Sequence, residues 1–363
     1  MNRLSQEEKA RQLAINSIDV HCHGIGRFDF TEIAEINLTE IEAILAKRKH
    51  KTILTLYLPE NSFEKFFDLI EQFSQGKNKG QYPHIQGFGL EGPLLASHGG
   101  TPQRGVWMPS KAQWQRLAQA GKKGLVYVIL SPDATLPNGA SFNMDKPPKD
   151  VAWIIETLLS GDVLPTPGHF TKDDPAQSAE SLQLLFDLVK EWGKGPTMTD
   201  HLFNDMPHNF KHAWRTQKEK AQRSGEIAQL QLDEWTLDNI DKKLGPVPAT
   251  MVRNAKQGLV KIAQNFDGEH VDLAVVKKAV ALIGAENMLM MTDSIESKRL
   301  AGRDLMMKEG STLLYQNEGV VAAGSQNVIH QIDNMLSIGL TEQQIHLITH
   351  GVPTTLIHGS EGT

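Results

Sequence analysis

Short runs of β-branched and other apolar residues recur along the chain, and a polar stretch with helical periodicity follows each of them. These runs predict eight strands, at residues 17–23, 52–58, 85–91, 125–130, 162–169, 196–202, 260–266 and 288–292. The intervening stretches predict amphipathic helices, which include 63–73, 111–120, 150–159, 179–192 and 273–283. Eight alternating units within about 280 residues favour an α/β fold of the (β/α)8 TIM-barrel type. An open doubly wound sheet needs fewer strands, and no Gly-x-Gly-x-x-Gly follows the first predicted strand.

One connection is much longer than the others, because almost sixty residues separate the sixth predicted strand from the seventh. Much of it is charged and has a helical pattern, as at 216–232, and a structureless loop of that length is improbable in a compact domain. We therefore predict a helical cap, 205–257, inserted into a single barrel domain that spans 1–363. Two further helices, 325–338 and 341–359, are predicted to follow the barrel.

Charge and composition exclude several classes of protein. Lys and Arg total 37 against 43 Asp and Glu, which excludes a generally basic nucleic-acid binder. Residues 205–257 hold nine basic and seven acidic residues, too balanced for a surface that follows phosphates. No apolar run approaches the ~20 residues of a membrane span. With one cysteine, Cys22, and a polar N-terminal stretch, we expect a soluble cytoplasmic protein without nucleic-acid or membrane partners.

The ends of the predicted strands carry ligand-type residues. The first strand ends in His21 and His23, which are two positions apart and therefore share a face. The third, fifth, sixth and eighth strands also end in a histidine or an acid. Barrel active sites lie at the carboxyl ends of the strands. We expect these residues to converge at one mouth: His21, His23, Glu91, His169, His201 and Asp293.

A lone histidine at a strand end is ordinarily structural, but six such residues on five strands indicate a metal site. Imidazole and carboxylate donors without thiolates suit Zn²⁺, Fe²⁺, Mn²⁺ or Co²⁺, and the sequence allows one or two divalent ions. An open position on such an ion lowers the pKa of bound water towards ~7. Two ions need a bridging ligand. Many barrel hydrolases with a His-x-His motif use a lysine of the fourth strand, but the predicted fourth strand contains none. Glu91 is therefore the candidate for the bridge.

Ordered motifs between about residues 17 and 340 resemble the amidohydrolase superfamily, and within it the N-acetylglucosamine-6-phosphate deacetylases. The motifs are 18–24 (IDVHCHG), 89–93 (GLEGP), 167–169 (PGH), 201–206 (HLFNDM), 267–271 (DGEHV), 291–293 (MTD) and 323–325 (AGS). Each is weak alone, whereas their shared order is specific.

The resemblance implies a role for each ligand-type residue. Glu91, His169 and His201 would hold the principal ion, and His21 and His23 a second one. The expected reaction is hydrolysis of an amide C–N bond by metal-activated water. It implies a small-molecule substrate, most simply an N-acetyl amino sugar, and a homodimer.

The remaining implied roles concern proton transfer and substrate binding. Asp293 would be the general acid/base, and the metal set includes it as well. His270 would contact the substrate and help to polarise its carbonyl. Asn204 would contact the distal end of the substrate.

Several features depart from that family. Its small β-sandwich, built from both chain ends, is expected to be missing. Asp205 replaces an alanine, and His212 stands where an arginine would bind the sugar phosphate. A carboxylate opposes phosphate binding by Coulomb repulsion, although Arg215 or Lys218 could restore the charge. His98 is the nearest counterpart of a family histidine that follows Glu-Gly-Pro.

Two alternatives remain open. The chain could hydrolyse a different amide or a cyclic amide, with the mechanism kept and the substrate changed. It could also be a catalytically retired barrel that binds a ligand. A retired site usually loses a ligand or the acid/base residue, and every one is present in this sequence.

Overall fold

The computed structural model describes residues 4–135, 151–210 and 217–359, and it has an α/β fold built on parallel strands. The first five strands form one sheet in sequence order, and the next three form a second sheet, also in sequence order. All pairs within these two sheets are parallel. The strands are β1 Ile18–Cys22, β2 Lys51–Leu56, β3 Ile85–Glu91, β4 Leu125–Leu130, β5 Leu164–Pro167, β6 Thr197–Met198, β7 Val260–Asn265 and β8 Met288–Met291.

Backbone hydrogen bonds join the two sheets at both edges. Asp200 N, just after β6, donates to Pro167 O of β5 at 3.0 Å. Asp293 N, just after β8, donates to His21 O of β1 at 3.0 Å. The strands therefore curl around a common axis. This confirms an α/β fold with a curled parallel sheet, which is consistent with the predicted (β/α)8 barrel.

Helices alternate with the strands, and most of those between successive strands bury an apolar stripe. In α3, Phe63, Phe66, Ile70 and Phe73 recur at helical spacing and are buried. The helices are α1 Gln6–Leu13, α2 Leu38–Arg48, α3 Phe63–Asn78, α4 Lys111–Gln119, α5 Val151–Ser160, α6 Pro175–Trp192, α7 Gln217–Leu230, α8 Ile240–Leu244, α9 Pro246–Lys256, α10 Leu273–Ile283, α11 Val328–Ser337, α12 Glu342–His346 and α13 Val352–His358. None of the helices in the described ranges combines the length and apolar composition that crossing a bilayer requires.

Several predicted boundaries differ from the structure. β5 and β6 are shorter than predicted, because Pro165, Pro167 and Pro196 lack the N–H group that extends a strand ladder. The predicted helix 341–359 is interrupted by the π-helical turn Leu347–Gly351. Helix α2 was not predicted, although Asn37 caps it and its buried residues have helical spacing.

Five short strands between β8 and α11 were also not predicted. They form one two-stranded and one three-stranded antiparallel sheet, and with two to four residues each they are too short for a period-two pattern. They are β9 Arg299–Leu300, β10 Arg303–Asp304, β11 Met306–Met307, β12 Leu313–Tyr315 and β13 Val321–Gly324. In the described residues, every strand beyond the eight barrel strands lies in this segment.

The predicted insertion contains α7, α8 and α9. Helix α9 packs against α6 and β7. It therefore occupies the position of the helix that connects β6 to β7 in an alternating α/β fold. Helix α7 contacts the segment after β7, where Lys220 pairs with Glu269 at 2.6 Å and Arg223 pairs with Asp272 at 2.9 Å. Its function as a cap, and the single-domain description, stay predictions.

Tyr127 of β4 forms part of the floor beneath the strand ends. Its ring lies against Gly89 of β3, where a Cβ atom would stand 2.1 Å from the ring. The hydroxyl lies 2.6 Å from Thr55 Oγ1 and donates to Val20 O at 3.1 Å. Because β4 and β1 are not neighbours in the sheet, these bonds cross the space that the strands enclose.

Candidate metal centre and active site

The structure brings the six predicted strand-end residues together. His21 and Glu91 belong to β1 and β3, and His23, His169, His201 and Asp293 lie within three residues of the end of a strand. All six are buried. His23 N donates to Ser294 O at 2.8 Å, so the ends of β1 and β8 are held side by side.

The first group of metal-ligating side chains consists of His21, His23 and Glu91. The Nε2 atoms of the two histidines are 3.0 Å apart. Glu91 Oε2 lies 3.1 Å from His21 Nε2 and 3.2 Å from His23 Nε2. Tyr57 places its hydroxyl 3.1 Å from His23 Nε2. Three donor atoms thus face one small volume.

The second group consists of Glu91, His169 and His201. One ligand atom from each lies within 4.8 Å of the others, and Glu91 Oε1 is 2.9 Å from His169 Nε2. Glu91 belongs to both groups and directs one oxygen to each. Thr101 Oγ1 donates to Glu91 Oε1 at 2.9 Å, a contact that the sequence did not suggest.

The donors in these groups fit a divalent ion. Among the described residues, Glu91 Oε2 and His169 Nε2 are fully buried polar atoms for which no hydrogen-bond partner is found. Buried polar atoms normally have such partners, and a metal ion satisfies lone pairs that a donor does not. The set of neutral nitrogen and anionic oxygen donors suits the divalent ions named above.

The local charges favour cations. Burial opposes protonation of His23, yet its contacts with Asp293 and Glu91 raise its pKa to about 10. Burial opposes ionisation of Asp293, but the hydrogen bond with His23 and the charge of His270 lower its pKa to about 2. Protons and divalent ions are therefore expected to compete for these imidazole nitrogens.

Asp293 and His270 form a pair beside the first group. Asp293 Oδ1 lies 3.2 Å from His23 Nε2, and Asp293 Oδ2 lies 3.4 Å from His270 Nε2. The other ring nitrogen of His270, Nδ1, contacts Asp267 Oδ2 at 2.6 Å. Asp267 thereby fixes the orientation of the His270 ring and turns Nε2 towards Asp293.

Asp205 contacts a metal-site histidine. Its Oδ2 lies 2.9 Å from His169 Nδ1, and its Oδ1 accepts a hydrogen bond from Ser97 at 3.0 Å. Lys172, which was not predicted, pairs with the same carboxylate at 2.7 Å. Burial opposes ionisation of Asp205, but His169 and Lys172 hold its pKa well below the usual range. The carboxylate is therefore occupied by three protein partners.

Three site residues have a backbone conformation that is uncommon outside glycine. The φ angles are 54° at His169, 38° at Asp205 and 48° at Asp293. Each such residue costs on the order of 1–3 kcal/mol, and such strain clusters at functional sites. The strained positions here are those that direct side chains into the site.

The second group, Glu91, His169 and His201, lines an open cavity of about 590 Å³, and the cavity meets the first group at the shared Glu91. Asn204, Asp205 and His270, which were predicted to contact the substrate, line it, and so does Lys172. His98 does not line this cavity. It is exposed and lines a neighbouring cavity instead. Gly99 and Gly100 of the same loop do line the cavity at the metal groups. Arg215 and His212 lie outside the described residues.

Asp200 is a further acid at the site that the sequence analysis did not select. Strand alternation would turn it away from the histidine that follows it. Since β6 ends at Met198, alternation does not extend to these residues, and Asp200 and His201 both face the site. The signal in the sequence was only its place beside a predicted ligand.

No model of a protein family matches the sequence, and no curated protein matches it. Solved structures do match. An N-acetylglucosamine-6-phosphate deacetylase from Pasteurella multocida aligns with a TM-score of 0.67 and 14% identity, over 96% of this chain and 78% of that one. The Thermotoga maritima deacetylase aligns with a TM-score of 0.64 and 13% identity, over 95% and 78%.

A third match is a variant of N-acetyl-D-glucosamine-6-phosphate deacetylase from Mycobacterium smegmatis, in complex with N-acetyl-D-glucosamine-6-phosphate. It aligns with a TM-score of 0.64 and 15% identity, over 95% of this chain and 77% of that one. The predicted resemblance to this family is therefore confirmed at the level of the fold.

Proposed function

We propose that the chain is a metal-dependent hydrolase that cleaves an amide C–N bond. One observation carries the proposal, namely that Glu91 joins two buried donor groups, with Asp293 beside them, at one open cavity. A purely structural role for so many buried ligand-type groups would call for hydrogen-bond partners. Several of these atoms have none in the described part of the chain.

The principal ion would be held by Glu91, His169 and His201, and a second ion by His21, His23 and Glu91. When bound, a divalent ion acts as a Lewis acid towards the amide carbonyl and makes the attacking water more acidic. The contact between Asp205 and His169 Nδ1 leaves His169 Nε2 directed at the ion site, the usual arrangement of a metal-ligating histidine.

Asp293 is the proposed general acid/base. Its carboxylate would accept a proton from the attacking water and later give that proton to the amide nitrogen as the C–N bond breaks. His270, oriented by Asp267, would contact the substrate beside the carbonyl. Both side chains are buried in the wall of the cavity, which supports this assignment because it limits the water that can contact them.

The proposed substrate is an N-acetyl amino sugar. The fold shared with deacetylases of such a sugar supports this class, and the cavity volume is in the range of small-molecule sites. A phosphate on the sugar is disfavoured here. Among the residues that the structure describes, Lys172 is the only lysine that lines the cavity. Its charge is already paired with that of Asp205. Lys218 is exposed on α7. We therefore propose that the 6-phosphorylated sugar is not the preferred substrate.

A kinetic comparison tests this proposal. The metal-loaded protein would be assayed for acetate and amine release from N-acetylglucosamine, its 6-phosphate and N-acetyl amino acids, and for ring opening of a panel of cyclic amides. We expect turnover of unphosphorylated N-acetyl sugars, and Asp293→Asn is the control that retains metal without turnover. Preference for cyclic amides would support the alternative substrate, and no turnover in any class would support a retired, ligand-binding barrel.

A further inference from the structure

Asp200 lies between two of the metal-site histidines. Its side chain is completely buried. Asp200 Oδ2 is 3.3 Å from His169 Nε2 and 3.4 Å from His201 Nε2, while Oδ1 is 3.9 Å from His21 Nδ1. Neither carboxylate oxygen has a hydrogen-bond partner among the residues that the structure describes.

Two other buried aspartates show what a structural carboxylate looks like in this fold. Asp19 accepts hydrogen bonds from the backbone N and the hydroxyl of Thr292, at 2.9 and 2.6 Å. Asp133 Oδ2 accepts from Thr171 N at 2.9 Å and from Ser178 Oγ at 2.6 Å, while its Oδ1 has no partner among the described residues. Asp200 has no comparable donor, although an uncompensated buried carboxylate is costly.

Protonated histidines do not account for the position of Asp200. His169 Nε2 is closer to Glu91 Oε1, at 2.9 Å, than to Asp200 Oδ2, at 3.3 Å. Neither His169 nor His201 makes a hydrogen bond of acceptable geometry to an Asp200 oxygen. Asp200 Oδ2 thus lies within 3.4 Å of two of the three donors of the second group, on the side of the two histidines.

We propose that Asp200 is a fourth protein ligand of the ion held by Glu91, His169 and His201. The inference rests on the metal centre of the proposed function and does not depend on its substrate. Two carboxylates then balance the charge of one divalent ion. Four protein donors fill a tetrahedron, so an ion that also binds water must be five- or six-coordinate, which Mn²⁺, Fe²⁺ and Co²⁺ accept readily.

The test measures metal binding directly. Asp200→Asn and Asp200→Ala would be compared with wild type for Co²⁺ and Mn²⁺ affinity, by competition with a chromogenic chelator at fixed pH. The visible spectrum of bound Co²⁺ reports its coordination. Asp133→Asn is the matched control, because it neutralises a buried aspartate outside the site. We expect at least tenfold weaker binding and an altered Co²⁺ spectrum for both Asp200 variants, and neither change for the control.

Each other outcome is decisive. If wild type binds Co²⁺ and both Asp200 variants bind it within twofold with the same spectrum, Asp200 is not a ligand, and the metal centre itself stands. If wild type binds neither ion, this inference and the proposed function both fail. Thermal unfolding in excess chelator completes the test, because no metal is bound under that condition. A lower Tm for Asp200→Asn than for wild type would show that Asp200 stabilises the metal-free fold, and it would overturn the proposal.

Discussion

Replacement of Asp205 by alanine tests whether this carboxylate orients a metal-site histidine. The change removes the contact of Asp205 Oδ2 with His169 Nδ1, which measures 2.9 Å. It also removes the acceptor for Ser97 Oγ and the ion pair with Lys172. The His169 ring would then be free to turn its Nε2 away from the other donors.

The structure sets the size of the expected effect. Loss of a partner that orients a metal ligand typically weakens metal binding 10- to 100-fold. Here the carbonyl oxygen of Ser97 remains 3.1 Å from His169 Nδ1 as a second acceptor. We therefore expect a loss of about tenfold for Asp205→Ala, or about 1.4 kcal/mol of binding free energy.

The assay is competition with a chelator for Zn²⁺ or Co²⁺, with two control variants. In Asp205→Asn the amide oxygen can still accept from His169 Nδ1, so its affinity should lie closer to wild type. Lys172→Ala removes the ion pair alone and should leave the affinity unchanged. Equal metal affinity in wild type and Asp205→Ala would refute the orienting role, and so would a loss in Lys172→Ala that matches the loss in Asp205→Ala.

Three further predictions concern turnover, specificity and stability. Asp293→Asn should retain metal by elemental analysis yet lose about 10²–10⁴-fold in kcat, because an amide does not accept the proton of water; a near-normal kcat would remove it from the mechanism. Wild type should not prefer N-acetylglucosamine-6-phosphate by kcat/KM; a strong preference that survives Asp205→Ala would contradict the proposed specificity. Burial and the charge of Arg48 lower the pKa of His50 to about 4. The folded state therefore binds a proton at His50 less readily than the unfolded state does. The free energy of unfolding is expected to fall as the pH drops from about 6.5 towards 4. His50→Gln should remove about 3 kcal/mol of that loss in urea unfolding, whereas the exposed control His330→Gln should not; equal pH profiles for wild type and His50→Gln would refute it.

The sequence predicted the elements that have a long, regular pattern. Strands β3, β4 and β7 were placed within one residue of their observed bounds, because each is a buried run with clear turns around it. The pairing of His21 with His23 followed from strand periodicity, and Glu91 followed from its place at the end of β3. These residues could be assembled because parallel strands present their carboxyl ends on one side of the sheet.

The remaining features depend on backbone that has no repeating pattern. Lys172 and Thr101 reach the site from loops, whose path is set by tertiary contacts. Asp200 faces the histidines because the chain leaves strand geometry after Met198. His98 was expected at the site because it is the nearest counterpart of a histidine in the family it resembles, but the loop directs it to a neighbouring cavity.

Measurement of turnover against bound metal tests the central claim most directly. Protein stripped of metal by a chelator would be titrated with Mn²⁺, Co²⁺ or Zn²⁺, and acetate release from an N-acetyl amino sugar would be followed with the number of ions bound per chain. The account predicts no release from stripped protein and a rise in release that follows occupancy of the Glu91, His169 and His201 site. Release that is the same in stripped and loaded protein, or absent when that site is full, would contradict it.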